Sequence, residues 1–160
     1  MYRHGHSLRS FRSREYNSWR TMLDRDKKTT GYYSEIRVCF AWKNSFKDFL
    51  KDMGRRHEGM SLDRIDNTKG YYKDNCRWAP QQLQILNTRV FRNNTSGFKG
   101  VYYHKNQNKW LSSLVVNGFN VHIGSFQDKE DAIATRYLLE QIYKAFLMAK
   151  VAQENDEGLA

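Results

Sequence analysis

The sequence predicts an α+β protein made of two small modules, and three observations lead to that prediction. Its 160 residues suffice for one ordinary domain or for two small ones. Apolar residues recur at helical spacing in several segments, whereas the segments after residue 99 alternate as short strands do. The charge is uneven, because residues 1–92 hold 20 Lys and Arg against 10 Asp and Glu, while residues 93–160 hold 7 of each. We therefore expect a first module in residues 1–92, a second in residues 93–148 and a flexible tail in residues 149–160.

The first module is expected to combine a β-hairpin with flanking helices. Residues 12–25 and 45–53 each carry an apolar stripe at helical spacing. Residues 59–89 predict a hairpin followed by a helix, because Gly70 marks a turn and Pro80 suits the first turn of a helix. The expected core of this module is thus a ββα unit preceded by helices.

The second module is expected to be a three-stranded antiparallel sheet packed on one helix. Alternating residues predict strands at 100–104, 109–116 and 120–126, and Asn117-Gly118 is a strong signal for a tight hairpin. A long helix is expected over residues 128–148, with Asp128 as its N-cap. The apolar side chains expected to cover the sheet from this helix are Ile133, Tyr137, Leu138, Ile142, Ala145 and Phe146.

Period-two alternation assigns the side chains of the sheet to two faces, and one helix can cover only one of them. The face expected against the helix is apolar and comprises Val101, Tyr103, Trp110, Leu114, Val121 and Ile123. The opposite face is mostly polar and comprises Tyr102, His104, Lys109, Ser113, Val115, Asn120 and His122. Its polar groups can contact phosphates and base edges, and a β-sheet can enter the DNA major groove. A solvated polar face is the alternative interpretation.

The composition limits the compartment and the classes of partner. The chain has a formal charge of +10 and a pI near 9.7, which indicates a polyanionic partner such as nucleic acid. It shows no apolar stretch typical of a membrane span or a signal peptide, so we expect an intracellular protein that is not secreted. A membrane-surface or RNA-binding protein has little support, because no basic amphipathic helix with an exposed apolar face is evident. Cys39 and Cys76 predict buried thiols, with a partial zinc site as the alternative.

Four short motifs of the second module follow one another in a fixed order. They are Gly100-Val101, Lys109-Trp110, Val121 to Phe126 (VHIGSF) and Glu130 to Ala132 (EDA). In this order and spacing they resemble the ethylene-response-factor type (Apetala-type) DNA-binding domain. The resemblance implies that the uncovered face of the sheet lies in the DNA major groove. Its reading positions correspond here to Tyr102, His104, Ser113, Val115, Asn120 and His122, which differ from the Arg and Trp that plant members mainly use.

The first module carries motifs of a different kind. They are Ser61 to Asn67 (SLDRIDN), Gly70-Tyr71 and Asn75 to Ala79 (NCRWA). They resemble a branch of the HNH endonuclease superfamily of phage and intron-encoded proteins. The resemblance implies a ββα unit in which Asp63 binds a divalent metal, Asn75 fixes the loop, and a residue near Gln84 completes the metal site. It also implies Mg²⁺ or Mn²⁺ as the cofactor.

The chain departs from the superfamily at the general base, whose place Arg64 occupies. A guanidinium with a pKa above ~12 cannot accept a proton from water at neutral pH. His57 could replace the base, Asp66 could bind metal with Asp63, or Arg64 could hold the scissile phosphate. The structural alternatives are a solvated His57, an Asp66 that caps its own turn, and an Arg64 ion pair that locks the hairpin.

Together the two modules predict a phage- or mobile-element-type protein that binds double-stranded DNA. The favoured function is a metal-dependent HNH, homing-type endonuclease, with Asp63, Arg64 and Asn75 at its centre and Asp63 and Gln84 as metal ligands. The alternative is a catalytically inactive DNA-binding protein on the same scaffold, acting as a regulator or an inhibitor. The residues expected to contact DNA are Arg55, Arg56, Arg77, Tyr102, His104, Lys109, Ser113, Asn120 and His122.

Overall fold

The computed structural model describes residues 7–8, 11–28, 30–31 and 34–157, and it has the predicted α+β class. The chain forms two compact units, residues 1–80 and residues 81–160. The elements of the first unit are β1 (Ser7–Leu8), β2 (Phe11–Arg12), α1 (Arg14–Asp26), α2 (Phe40–Asn44), α3 (Phe46–Met53), β3 (Met60–Arg64) and β4 (Cys76–Pro80). The elements of the second unit are α4 (Gln81–Leu86), β5 (Val101–His104), β6 (Lys109–Val116), β7 (Phe119–Phe126) and α5 (Lys129–Glu157).

An aromatic core organises the helices of the first unit. Trp42 and Phe49 are fully buried, and their rings meet edge to face with centroids 5.1 Å apart. The indole N–H of Trp42 donates to the carboxylate of Asp52 at 2.8 Å, so the one polar atom of this ring is satisfied. Trp42 lies on α2, a helix that is absent from the predicted elements. Its five residues are too few to show a helical period.

The two predicted helices of the first unit begin at serine caps. The hydroxyl of Ser13 accepts the backbone N–H of Tyr16 at 3.1 Å, and that of Ser45 accepts the N–H of Asp48 at 3.2 Å. Helix α3 ends at Gly54, whose φ of +64° suits glycine. Both helices therefore lie within a residue or two of where the apolar stripes predict them.

Strands β3 and β4 form the predicted antiparallel hairpin, in which Asp63 lies opposite Arg77. Pro80 is the last residue of β4 rather than the first residue of a helix, and α4 starts at Gln81. Helix α4 ends at Leu86, before the predicted end near Arg89.

The sheet of the second unit has the order β5-β6-β7 and is antiparallel throughout. Its strand limits agree with the prediction to within a residue. Asn117 and Gly118 connect β6 to β7 with φ values of +51° and +86°, which a two-residue hairpin turn requires at both positions. The period-two pattern fails at one place, because the pairing of β6 with β7 shifts register between Ser112 and Ser113.

Helix α5 differs from the prediction in the face that it turns inward. Its buried residues are Ala132, Arg136, Glu140 and Leu147. Most of the predicted covering stripe is exposed instead: Tyr137, Leu138, Ile142, Ala145 and Phe146. The helix also continues past the predicted end at Met148 to Glu157, because good helix formers such as Ala149, Lys150 and Ala152 follow Met148. The expected flexible tail is therefore helical as far as the described residues reach.

A buried ion pair causes this rotation of α5. The guanidinium of Arg136 donates from Nε to the carbonyl of Ser113 at 2.6 Å and from Nη1 to the carboxylate of Glu140 at 2.8 Å. Lys144 adds a second cation 2.7 Å from the same carboxylate. Burial alone would raise the pKa of Glu140, but hydrogen bonds and positive charge from Lys144 and Arg136 outweigh that effect and lower it.

The boundary between the compact units falls after Pro80, earlier than the change in charge at Arg92 predicts. Helix α4 contacts α5 and β6 and so belongs to the second unit. The ammonium of Lys99 holds the end of α4, since Nζ donates to the carbonyls of Ile85 and Leu86 at 2.6 and 2.7 Å. Burial lowers the pKa of Lys99 to about 8.

Gly100 is the position of the second unit where a side chain is least tolerable. Its φ is +77°, and an added Cβ would overlap the carbonyl oxygen of Ser113 and lie 2.7 Å from Nε of Arg136. We expect Gly100→Ala to lower the free energy of unfolding by about 3–5 kcal/mol, because backbone strain adds to displacement of the Arg136 hydrogen bond. Urea denaturation followed by circular dichroism measures this loss.

Gly118→Ala is the matched control. Gly118 has a φ of +86°, but nothing lies within 4 Å of an added Cβ, so only backbone strain of about 1–2 kcal/mol is expected. Equal losses in the two variants would show that the space around Gly100 is not limiting.

Candidate nucleic-acid interface

Asn75 fixes the loop between β3 and β4. It is 3% exposed, and its Nδ2 donates to the carbonyls of Gly70 and Asp66 at 2.8 and 3.1 Å. Its Oδ1 accepts the backbone N–H of Asp66 at 2.9 Å. One amide therefore satisfies three backbone groups on both sides of the loop.

Arg64 is directed into the same loop. It is 4% exposed, Nη1 donates to the carbonyl of Lys69 at 2.6 Å, and Nη2 lies 3.4 Å from Oδ1 of Asn67. The guanidinium also stands over the ring of Tyr71, with 5.0 Å to the ring centroid. These contacts favour a role in locking the hairpin over contact with a phosphate, because the charged group points into the protein.

Asp63 lies next to Arg64 on β3 and is paired across the hairpin. Its Oδ2 is 3.2 Å from Nε of Arg77, and the two side chains are 9% and 23% exposed. The carboxylate is thus largely neutralised by a partly exposed cation. Arg77, a predicted DNA contact, has its Nε committed to Asp63.

The predicted metal ligands supply few donors. Asp63 offers one carboxylate, already paired with Arg77, and Gln84 lies on α4 in the second unit. Across residues 7–8, 11–28, 30–31 and 34–157, no three His, Cys, Asp or Glu side chains form a group able to hold a metal ion. Mg²⁺ usually binds one or two carboxylates together with phosphate oxygens of a substrate. The residues of the hairpin therefore fit a metal poorly as they stand.

The remaining polar residues of this region fit structural roles. Oδ1 of Asp66 accepts from both the N–H and the hydroxyl of Thr68, at 2.9 and 2.6 Å, and these hydrogen bonds lower the pKa of Asp66. Asp66 thus caps its own turn.

His57 is exposed in the segment between α3 and β3. Burial raises the pKa of the Cys76 thiol to about 12, so this cysteine stays protonated at neutral pH, as a buried thiol does.

A basic groove opens beside the start of α1 in the first unit. Its volume is about 950 Å³. Its lining is formed by Arg12, Ser13, Arg14, Glu15, Leu50, Gly54, Arg55 and Arg56. We call this surface the arginine groove. Four of its eight lining residues are arginines and one is acidic, and the guanidinium of Arg14 lies 3.3 Å from the carboxylate of Glu58, so the lining carries a net positive charge.

Partly buried hydrogen bonds hold one wall of the arginine groove in place. The carboxylate of Glu15 accepts the backbone N–H of Arg56 at 2.8 Å, and Nη1 of Arg56 donates to the hydroxyl of Ser18 at 3.2 Å. The Nε of Arg56 donates to the carbonyl of Met60. Arg12 and Arg55 are exposed at the groove. Arg55 and Arg56 were predicted as DNA contacts, and the fold brings Arg12 and Arg14 to the same surface.

The sheet of the second unit exposes part of the predicted reading face. Tyr102, Asn120 and His122 are exposed, and His104 and Lys109 are partly buried. Ser113 is only 9% exposed on the central strand, so its hydroxyl is largely withdrawn from this face. Strict alternation did not predict Ser125 on this face. Ser125 is exposed beside His122, with 3.4 Å between Oγ of Ser125 and Nε2 of His122.

Comparison of the chain with protein-family models, with curated proteins and with solved structures finds no match. In the described part of the chain, no helix has the length and apolar character needed to cross a membrane.

The contacts of Arg64 predict that it stabilises the fold. We expect Arg64→Met to lower the free energy of unfolding by about 3 kcal/mol, because it leaves the buried carbonyl of Lys69 without its charged donor. Urea denaturation of the purified chain measures the change.

Arg55→Met is the control, since Arg55 is exposed and its removal should change stability by less than about 0.5 kcal/mol. A stable Arg64→Met variant that loses affinity for duplex DNA would show instead that Arg64 contacts phosphate.

Proposed function

We propose that this chain binds double-stranded DNA, with the arginine groove of the first unit on the phosphate backbone and the sheet of the second unit on base edges. The observation that carries the proposal is the convergence of Arg12, Arg14, Arg55 and Arg56 on one concave surface. Guanidinium groups bind phosphates in fork geometry and release condensed counterions when they do so. A groove of this charge suits a polyanionic backbone better than a neutral ligand.

The sheet supplies the groups that a base-reading surface needs. Asn120 offers an amide that can pair with adenine, and His122, Ser125 and Tyr102 offer donors and acceptors on neighbouring positions. Their exposure leaves them accessible to a ligand. The Apetala-type resemblance of residues 100–132 favours the same use of this face. In this division of labour the groove provides affinity and the sheet provides discrimination between sequences.

Metal-dependent cleavage at the β3–β4 hairpin is the second candidate function. It is favoured by the position of Asp63 beside a loop that Asn75 fixes, which is the arrangement implied by the HNH resemblance. Two observations weigh against it, since Asp63 is paired with Arg77 and the neighbouring Arg64 is buried and cannot act as a base. We therefore place DNA binding first, and the hairpin then serves as a scaffold.

The arginine groove predicts how binding depends on salt. A plot of log affinity against log salt has a negative slope. For the double variant Arg12→Gln/Arg55→Gln we expect this slope to become less steep by about 2, because two phosphate contacts are lost. Fluorescence anisotropy on a random duplex at several salt concentrations measures the slope.

The matched control is Lys47→Gln/Lys73→Gln, which removes the same charge from exposed positions outside the groove. In this control variant, the slope of log affinity against log salt should change by less than about 0.5. Equal effects of the two double variants would mean that net charge, and not the groove, drives binding.

A supercoiled-plasmid assay separates binding from cleavage. On the proposed function we expect intact plasmid with Mg²⁺ or Mn²⁺ at protein concentrations that retard its migration. If the plasmid is nicked, the activity must be lost with EDTA and in Asp63→Ala but kept in Asp74→Ala, whose carboxylate is exposed on the same loop. Nicking with that pattern would establish the second candidate.

A further inference from the structure

An exposed ion pair occupies one arginine of the arginine groove. Nη2 of Arg14 lies 3.3 Å from Oε1 of Glu58, and the two side chains are 54% and 88% exposed. Arg14 is the first residue of α1, and Glu58 lies in the segment between α3 and β3 that also supplies Arg55 and Arg56 to the groove. A carboxylate of the chain itself therefore stands at a charged group that a phosphate would approach.

Glu58 differs from Glu15, the acidic residue in the lining of the groove. Glu15 is 9% exposed, and its carboxylate accepts the backbone N–H of Arg56 at 2.8 Å, so this charge is part of the fold. Glu58 is almost fully exposed, and one of its oxygens accepts from Arg14. An exposed pair of this kind contributes little to stability, because water and salt screen it. Glu58 can therefore leave Arg14 with little effect on the fold.

The position of Arg14 favours an anion beside it. The N-terminus of a helix carries a partial positive charge, which disfavours a cation on the first residue and attracts an anion. In the free chain Glu58 supplies that anion through one oxygen. A backbone phosphate can accept two N–H groups of the same guanidinium, so it binds Arg14 more strongly than Glu58 does.

We propose that Glu58 is an internal competitor of DNA, which pairs with Arg14 in the free chain and releases it when a backbone phosphate enters the arginine groove. The inference rests on the proposed function, because it concerns the regulation of the same surface. Glu58 lowers the affinity of the groove for phosphates, since its displacement opposes binding. It leaves unchanged the number of phosphates that the groove neutralises, because Arg14 reaches a phosphate once the exchange has taken place.

Fluorescence anisotropy with a random duplex at several salt concentrations tests the exchange. For Glu58→Gln we expect the affinity at 0.1 M salt to rise about threefold to fivefold, because no carboxylate then competes for Arg14. The slope of log affinity against log salt should stay within about 0.5 of the wild-type slope, because Arg14 contacts a phosphate in both chains. For Arg14→Gln we expect this slope to become less steep by about 1.

The double variant Arg14→Gln/Glu58→Gln shows whether Glu58 acts through Arg14. In the Arg14→Gln background, Glu58→Gln should change the affinity by less than about 1.5-fold, because the competitor has lost the group that it holds. Glu35→Gln is the matched control, since Glu35 is exposed in the first unit and lies outside the lining of the groove. It removes the same charge and should also change the affinity by less than about 1.5-fold.

Three results would overturn the proposal. They are wild-type affinity in Glu58→Gln, an equal gain in Glu58→Gln and Glu35→Gln, or a slope that becomes steeper by about 1 in Glu58→Gln, which would mean that Arg14 stays paired with Glu58 in the wild-type complex. A wild type that does not bind duplex DNA would overturn the proposed function as well. A wild type whose slope is reduced by Arg12→Gln/Arg55→Gln would confine any of the three failures to Glu58.

Thermal melting followed by circular dichroism accompanies these measurements. Arg14, Glu35 and Glu58 are exposed, so all variants should melt at the wild-type temperature. If Glu58→Gln melts lower, Glu58→Ala takes its place in the same comparison.

Discussion

The orientation of α5 depends on one buried guanidinium. Arg136 is 2% exposed and reaches the carbonyl of Ser113 on the central strand, at the place where the register of the sheet shifts. A buried cation requires a partner, and Glu140, one turn along the helix, provides it. Because residues four apart share a helix face, this pair turns its whole side of α5 toward the sheet. The apolar residues Leu138, Ile142 and Phe146 are exposed as a consequence.

A polar lock also organises the hairpin of the first unit. Asn75 and Arg64 together bind the backbone of Asp66, Lys69 and Gly70, so this part of the loop is held by side-chain hydrogen bonds. A satisfied polar network of this kind makes a loop specific, and removal of one member leaves buried groups unpaired. Within this lock, the guanidinium of Arg64 donates to the carbonyl of Lys69 and stands over the ring of Tyr71.

Local signals in the sequence predicted most of the elements, and long-range contacts account for the errors. The serine caps, Gly54 and the Asn117-Gly118 turn act within a few residues, so the helices and strands that they bound were predicted correctly. The inward face of α5 could not be predicted from hydrophobic period, because Arg136 is buried only through partners distant in sequence. Ser125 was missed because the register shift places it on the same face as His122, and strict alternation cannot show such a shift. The arginine groove likewise joins Arg12 to Arg55 across more than 40 positions of the sequence, and only the fold brings them together.

The excess charge of the chain lies in the part of the sequence that carries the arginine groove. The whole excess of +10 lies in residues 1–92, whereas residues 93–160 hold equal numbers of basic and acidic groups. On the proposed function, the groove of the first unit would therefore supply the salt-dependent part of DNA binding, and the neutral second unit would supply the part that discriminates between sequences.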